Sequence, residues 1–299
     1  MEIRLLNYRV GHLVADYLDA SPCAVTPELL AELLPEGADA ATEERVYAAL
    51  LSGFFGLDGE ASAEDRFIEE QYLRPGLRRM NPAVYRENPY YRNIRIEEQC
   101  IGQWELTHQS YQPCELFLRD DLILTDDLRQ IPAIGYFPEA FSFPSVLQEG
   151  REWMSIKPSE IESSQAAVDA ASGRVVTFGL GLGYFAYLAA RKPEVAEVTV
   201  VERDPAVIAL FEGQILPQFE CRRKVRVVQA DAFDFLDRDM EGLRPDFVFM
   251  DIWHDIGDGL DPYVRAKGYE ARFPATRFRY WIERSLRCAL IDVLEHRFE

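Results

Sequence analysis

Residues able to move a proton gather behind one apolar run. The run Pro245-Asp-Phe-Val-Phe-Met-Asp-Ile-Trp-His-Asp reads as a strand, with Asp251 at its C-terminal end. That edge is where ligands bind in open α/β sheets. Asp251 is therefore a candidate site residue. His254 is a candidate general base, because an imidazole titrates near neutrality. Asp255 is a second acid delivered to the same place, and Trp253 is placed either to stack on a substrate or to pack. A histidine and a tryptophan after a strand also serve as packing and capping residues, so both readings stand at this point.

A second group of residues binds rather than reacts. Val175, Val176 and Phe178 break into Gly179, Gly181 and Gly183. Glycines are needed where a turn takes left-handed angles or brings backbone close to another group. A short amphipathic helix follows, then Val198-Thr-Val-Val, ending in Glu202. Strand, glycine turn, helix, strand and acid make the first half of a nucleotide-binding α/β unit. Glu202 follows the last glycine by about 20 residues, the distance expected of the acid that holds a ribose diol. The alternative is a glycine turn with no ligand.

Spacing separates the cofactors. A dinucleotide site needs G-x-G-x-x-G, so that a helix N-terminus meets a pyrophosphate. The third glycine would fall at Tyr184. The chain offers G-x-G-x-G, which resembles motif I of the class I S-adenosylmethionine-dependent methyltransferases. Their cofactor has no phosphate, so the loop only passes close beneath its amino-acid part. The resemblance continues in Lys224-Val-Arg-Val-Val-Gln-Ala-Asp-Ala-Phe, a third strand ending at Asp231 and Ala232. In that family an acid here contacts the adenine amino group, with apolar neighbours against the ring; Phe233 adds packing.

The resemblance covers about residues 150–255. It implies an α/β fold with a Rossmann-like doubly wound, mostly parallel sheet, and S-adenosyl-L-methionine as cofactor. The cofactor-binding residues it implies are Gly179, Gly181, Gly183, Glu202, Asp231, Ala232 and Asp251. It also implies methyl transfer to an acceptor, with Asp251, His254 and Asp255 as catalytic candidates. Such transfer is an in-line displacement from an activated donor, so the enzyme mainly aligns the reactants and removes a proton where needed.

Three other functions are weighed. Aminopropyl transfer, as in spermidine synthases, uses the same fold. That family carries Asp-Ser-Ser-Asp-Pro where this chain has Asp251-Ile-Trp-His-Asp255, and Gly-Gly-Gly-Asp-Gly where this chain has Gly-Leu-Gly-Leu-Gly. Methyl transfer is favoured. Tyr184 disfavours a nicotinamide-dependent oxidoreductase. A non-catalytic protein that binds S-adenosylmethionine through the same fold is the third. The Asn/Asp-Pro-Pro-Tyr/Phe signature of amide- and adenine-methylating members is missing at Asp251-Ile-Trp-His.

Composition bounds the partners. At 299 residues the chain has room for two domains. A net charge of −19 argues against a nucleic-acid backbone as the main partner. The acceptor is expected to be a small molecule rather than nucleic acid, and a homo-oligomer stays open. Arg78, Arg79, Arg86, Arg92 and Arg95 fall among Tyr85, Tyr90 and Tyr91 as a local basic patch; pairing with the protein's own carboxylates is the favoured reading. Five cysteines without C-x-x-C spacing indicate neither a zinc cage nor a disulfide framework. Four scattered histidines propose no metal. No signal sequence or membrane-length apolar run is read, so a cytoplasmic protein without membrane contact is expected.

The elements that must position these residues divide the chain into three. Residues 1–112 read as mainly helical, with helices near 6–18, after Thr26-Pro27, over 42–55 and over 63–73. Residues 113–150 read as a small β element, similar to the N-terminal sheet domain of spermidine synthases. Residues 151–299 read as the Rossmann-like cofactor domain. A helix over 159–171 leads into the first strand; in many methyltransferases this helix lines the cofactor mouth, which makes Glu160 or Gln165 candidates against a solvated face. After Asp251 the chain reads as a loop to Gly259, a helix over 262–268, and a long helix from Thr276 carrying Phe278, Trp281, Ile282 and Leu286. No run supplies a fifth strand, so the sheet is expected to be C-terminally short unless N-terminal strands complete it.

Overall fold

Leu6, Val10, Val14 and Tyr17 recur at intervals of three and four and form the buried face of a helix, Ile3–Ala20. The next begins where Thr26 accepts the Leu29 N–H at 3.2 Å and Pro27 takes the first helical position. Asp39 caps Ala40–Phe54, and Ser62 caps Ala63–Ile68, which runs on through a π-helical turn, Glu69–Leu73. The computed structural model describes residues 2–296 of the chain.

Two compact units are interleaved along the sequence. One holds Met1–Tyr85 and Ser110–Ser142, the other Arg86–Gln109 and Phe143–Glu299. In the first, the helices share one core with the strands Leu77–Arg79, Leu116–Leu118 and Ile134–Tyr136; Tyr47, Leu51, Tyr72, Leu77, Ile134 and Tyr136 are all buried in it.

The second unit is built on a five-stranded parallel sheet: β1 (Gly173–Phe178), β2 (Val195–Glu202), β3 (Val225–Gln229), β4 (Phe247–Met250) and β5 (Arg277–Tyr280). Their spatial order is β3-β2-β1-β4-β5, a Rossmann-like arrangement. The inner strands β1 and β4 are buried on both faces, so they read as near-continuous Val and Phe runs. Winding proceeds outward from β1 to β3, then reverses to β4 and β5. The switch lies between β1 and β4, where open α/β sheets bind ligands. Helix α1 (Pro158–Ala170) precedes these strands, and α2 (Tyr184–Arg191), α3 (Ala232–Arg238), α4 (Ile256–Tyr269) and α5 (Glu283–His296) connect or follow them. A four-stranded antiparallel sheet, lying mostly in this unit, orders Gln99–Ile101, Trp104–Tyr111, Phe141–Gln148 and Arg151–Ser155, the last at its edge.

The C-terminal expectation is corrected. The stretch from Thr276 is not helical: Arg277 and Arg279 are exposed while Phe278 and Tyr280 are buried, a period of two that makes β5 the fifth strand of the sheet. Helix α5 starts only at Glu283. Helix α4 starts at Ile256 rather than 262, because Asp255 and Asp258 form a capping box that converts the expected loop into its first turn. Among the described residues the sheet ends at β5, and the N-terminal strands form sheets of their own. No helix of the described residues is long and apolar enough to cross a membrane.

Candidate functional site

The glycine turn leaves β1 at the switch point. Gly179, Gly181 and Gly183 have φ of 90°, 49° and 72°, angles that strain any residue with a Cβ. Space differs among them. A Cβ on Gly179 would lie 1.8 Å from the Asp251 carbonyl oxygen, and one on Gly183 would lie 2.3 Å from the Phe211 ring. These two glycines let the turn pack against the body of the unit. A Cβ on Gly181 would lie 1.7 Å from Sδ of Met154, the end of a flexible side chain on the edge strand Arg151–Ser155. At the position where a dinucleotide turn would have its third glycine, Tyr184 is buried and its hydroxyl accepts the Asn88 amide at 2.9 Å. The Tyr90 hydroxyl donates to the Leu182 carbonyl at 2.5 Å, fixing the turn from below.

Glu202 ends β2 and is bound into the same turn. Its Oε2 accepts the Leu180 N–H at 3.1 Å, and its Oε1 accepts the N–H groups of Arg203 and Asp204, each at 2.8 Å. A carboxylate offers about four acceptor positions. Three are used, so one further donor can be accepted without breaking any of these bonds.

Asp231 follows β3 as the N-cap of α3. Its Oδ1 accepts the N–H groups of Phe233 at 2.9 Å and Asp234 at 3.2 Å. Oδ2 takes no part in the cap, and the residue is exposed. Ala232 and Phe233 are buried, and the Arg265 guanidinium of α4 sits 3.8 Å over the Phe233 ring. Phe233 is thus a packing residue.

Asp251 follows β4 directly, its N–H donating to the Phe178 carbonyl at 3.0 Å. Its carboxyl is walled in by protein while the residue keeps a partly exposed surface, and loss of water pushes it up to about 7. Glu160, in the first turn of α1, is pushed up to about 8, first by loss of water and then by the charge of Asp251; Lys157 opposes this and Glu152 adds to it. Lys157 is committed to an ion pair with Glu152. Of the two helix candidates, then, Glu160 is the one whose charge interacts with that of Asp251. Gln165 is exposed and donates to Asp169 at 2.7 Å.

The other two catalytic candidates have local partners. His254 is exposed, with its ring edge-on to Trp153, centroids 4.0 Å apart, and its backbone N–H donating to the Asp258 carboxylate at 3.0 Å. Asp255 caps α4, its Oδ1 accepting from Gly257 at 2.6 Å and Asp258 at 3.4 Å. Trp253 is buried against Gly259, where a Cβ would come within 2.9 Å of the indole. That position supports packing rather than stacking on a substrate. In the arginine-rich stretch, Arg79 pairs with Glu43 at 2.9 Å and Arg92 with Glu87 at 3.2 Å, while Tyr85 and Tyr90 are buried. Those two arginines meet the protein's own carboxylates.

Sequence reasoning missed Met154. Its contact with the turn crosses 28 positions and joins two different sheets, and an isolated methionine carries no motif.

No protein-family profile and no curated protein matches the sequence. Solved structures match part of it. A candidate O-methyltransferase from Klebsiella pneumoniae is 18% identical over 38% of this chain and 49% of its own, with a TM-score of 0.29. A cofactor-bound protein from MTB is 23% identical over 38% and 49%, with a TM-score of 0.30. Spermidine synthase from Thermotoga maritima is 16% identical over 35% and 39%, with a TM-score of 0.28. The matched region spans about half or less of each of these chains. The site is therefore read from this chain's own residues.

Proposed function

We propose that the chain binds S-adenosyl-L-methionine at the glycine turn and transfers its methyl group to an acceptor held beside Asp251. One observation carries this reading: Glu202 and the turn are joined by the Leu180 N–H, so a carboxylate with one open acceptor position stands against a close-approach backbone at the switch point. The donor set fits the cofactor. The turn carries no acidic side chain to repel an amino-acid carboxylate, and the uncapped Oδ2 of Asp231 is free to accept from an adenine amino group. When bound, the cofactor supplies a methyl group already activated on a sulfonium.

The chain's own residues then hold and deprotonate. Glu202 accepts a ribose hydroxyl at its open position. Asp251, titrating near neutrality, is partly ionised at pH 7 and takes a proton from the acceptor. Glu160 beside it shares the charge, so the pair ionises in two linked steps rather than independently. His254 rests on Trp153 and Asp255 caps α4 through its Oδ1, whereas Asp251 is the enclosed carboxyl at the switch point, which makes it the favoured proton acceptor. The net charge of −19 favours a small acceptor over nucleic acid.

A second reading, aminopropyl transfer from decarboxylated S-adenosylmethionine, has one observation in its favour. Asp251 and Glu160 bring two acids to one place, where a cationic amine would be held. The test of the first reading is Glu202→Ala. Losing one charge-assisted hydrogen bond costs about 1.5–3 kcal/mol, so affinity for S-adenosylhomocysteine should fall at least about tenfold. Unchanged affinity would mean that the ribose is held elsewhere.

A further inference from the structure

We propose that Met154 is a movable plug over the glycine turn, and that a ligand reaches Gly181 only after this side chain swings aside. The proposal rests on the cofactor reading above for the identity of the ligand.

The plug is seated on one backbone group and one gap. Met154 Sδ accepts the Leu182 N–H at 3.1 Å. The space beside Gly181, where a Cβ would point, holds Sδ at 1.7 Å, Cε at 2.9 Å and Cγ at 3.2 Å from that position. The two outer glycines face a backbone carbonyl and the buried Phe211 ring, neither of which can leave without opening the unit. The middle glycine faces the far end of an unbranched side chain with three rotatable bonds. Met154 is only partly buried.

The strand that carries it is suited to movement. Arg151–Ser155 lies at the edge of its sheet and, among the described residues, pairs only with Phe141–Gln148. That pairing shifts register between Val146 and Leu147, and the connecting turn takes positive φ at Glu149 and Gly150. Rotation of the thioether breaks no ladder bond.

Exchange favours the ligand. A thioether is a weak acceptor, and its presence keeps the Leu182 N–H satisfied in the free protein. A carboxylate, such as that of an amino-acid moiety, is a stronger acceptor for the same N–H. The plug therefore multiplies the intrinsic affinity by the fraction of molecules in which it is withdrawn.

Met154→Ala tests this by titration with S-adenosylhomocysteine, alongside the parent and Met154→Leu. Leucine nearly conserves volume and keeps the fold, but cannot accept the N–H. The expected result is binding about tenfold tighter for Met154→Ala, equivalent to about 1.4 kcal/mol, with a smaller gain of the same sign for Met154→Leu. If Met154→Ala does not fold, the leucine variant alone decides. Parent and variants binding equally, or the variants binding more weakly, overturns the plug and leaves the cofactor reading standing. Failure of parent and variants alike to bind overturns the cofactor reading, and the plug with it.

Discussion

Replacing Asp251 by asparagine should make the protein more stable at alkaline pH, and the size of the effect follows from the enclosure of the carboxyl. The native group titrates at about 7 against an ordinary value of 3.8. At about 1.36 kcal/mol per tenfold, that rise corresponds to at most about 4 kcal/mol. Partial exposure and the charge shared with Glu160 reduce it to about 2 kcal/mol. The sign follows from proton binding: between the two values the native state holds a proton that the unfolded state has lost. The stability of the parent is therefore fully present below about pH 4, declines as pH rises, and has lost this contribution above about 7. Asparagine stays neutral throughout. Thermal denaturation of parent and Asp251→Asn from pH 4 to pH 8.5 should show the variant gaining a few degrees over the parent across that range. Parallel curves would refute the enclosure of this carboxyl and remove the physical basis for its role as a base.

Two further substitutions probe the turn and the catalytic candidates. Gly181→Val places a branched side chain at φ 49° with its Cβ 1.7 Å from the present position of Met154 Sδ; cofactor binding by calorimetry should be lost, and binding equal to the parent would make the turn purely structural. Asp255→Asn keeps a good N-cap, so melting temperature and methyl transfer should both be retained. A tenfold loss of transfer at unchanged melting temperature would instead make Asp255 catalytic.

The placement of the candidate residues is legible in the sequence where its signals are local. The glycines, the apolar run into Glu202 and the Asp231-Ala232 pair each follow their strand directly, so backbone period and spacing place them at one sheet edge. Asp251 was legible for the same reason. Sequence gives the helix that carries Glu160 and Gln165 but not its rotation; in the structure the charge of Glu160 interacts with that of Asp251, while Gln165 is exposed. The fifth strand is hidden in the sequence because its four residues, Arg277–Tyr280, lie just before a long amphipathic helix. Their alternation is too short to stand out against the helical period that follows. The start of α4 differs from the expected loop because Asp255 and Asp258, three residues apart, form a capping box. Met154 had no local signal, since its meaning depends on a second sheet.

The central claim is that the turn and Glu202 hold an intact S-adenosylmethionine. It is tested most directly by calorimetric titration of the purified protein with S-adenosylmethionine, its decarboxylated form and NAD, side by side at one salt concentration. S-Adenosylmethionine should bind at least as tightly as the decarboxylated ligand, and NAD should not bind. A preference of more than about tenfold for the decarboxylated form, about 1.4 kcal/mol, would contradict methyl transfer and favour aminopropyl transfer; binding of none of the three would contradict the site itself.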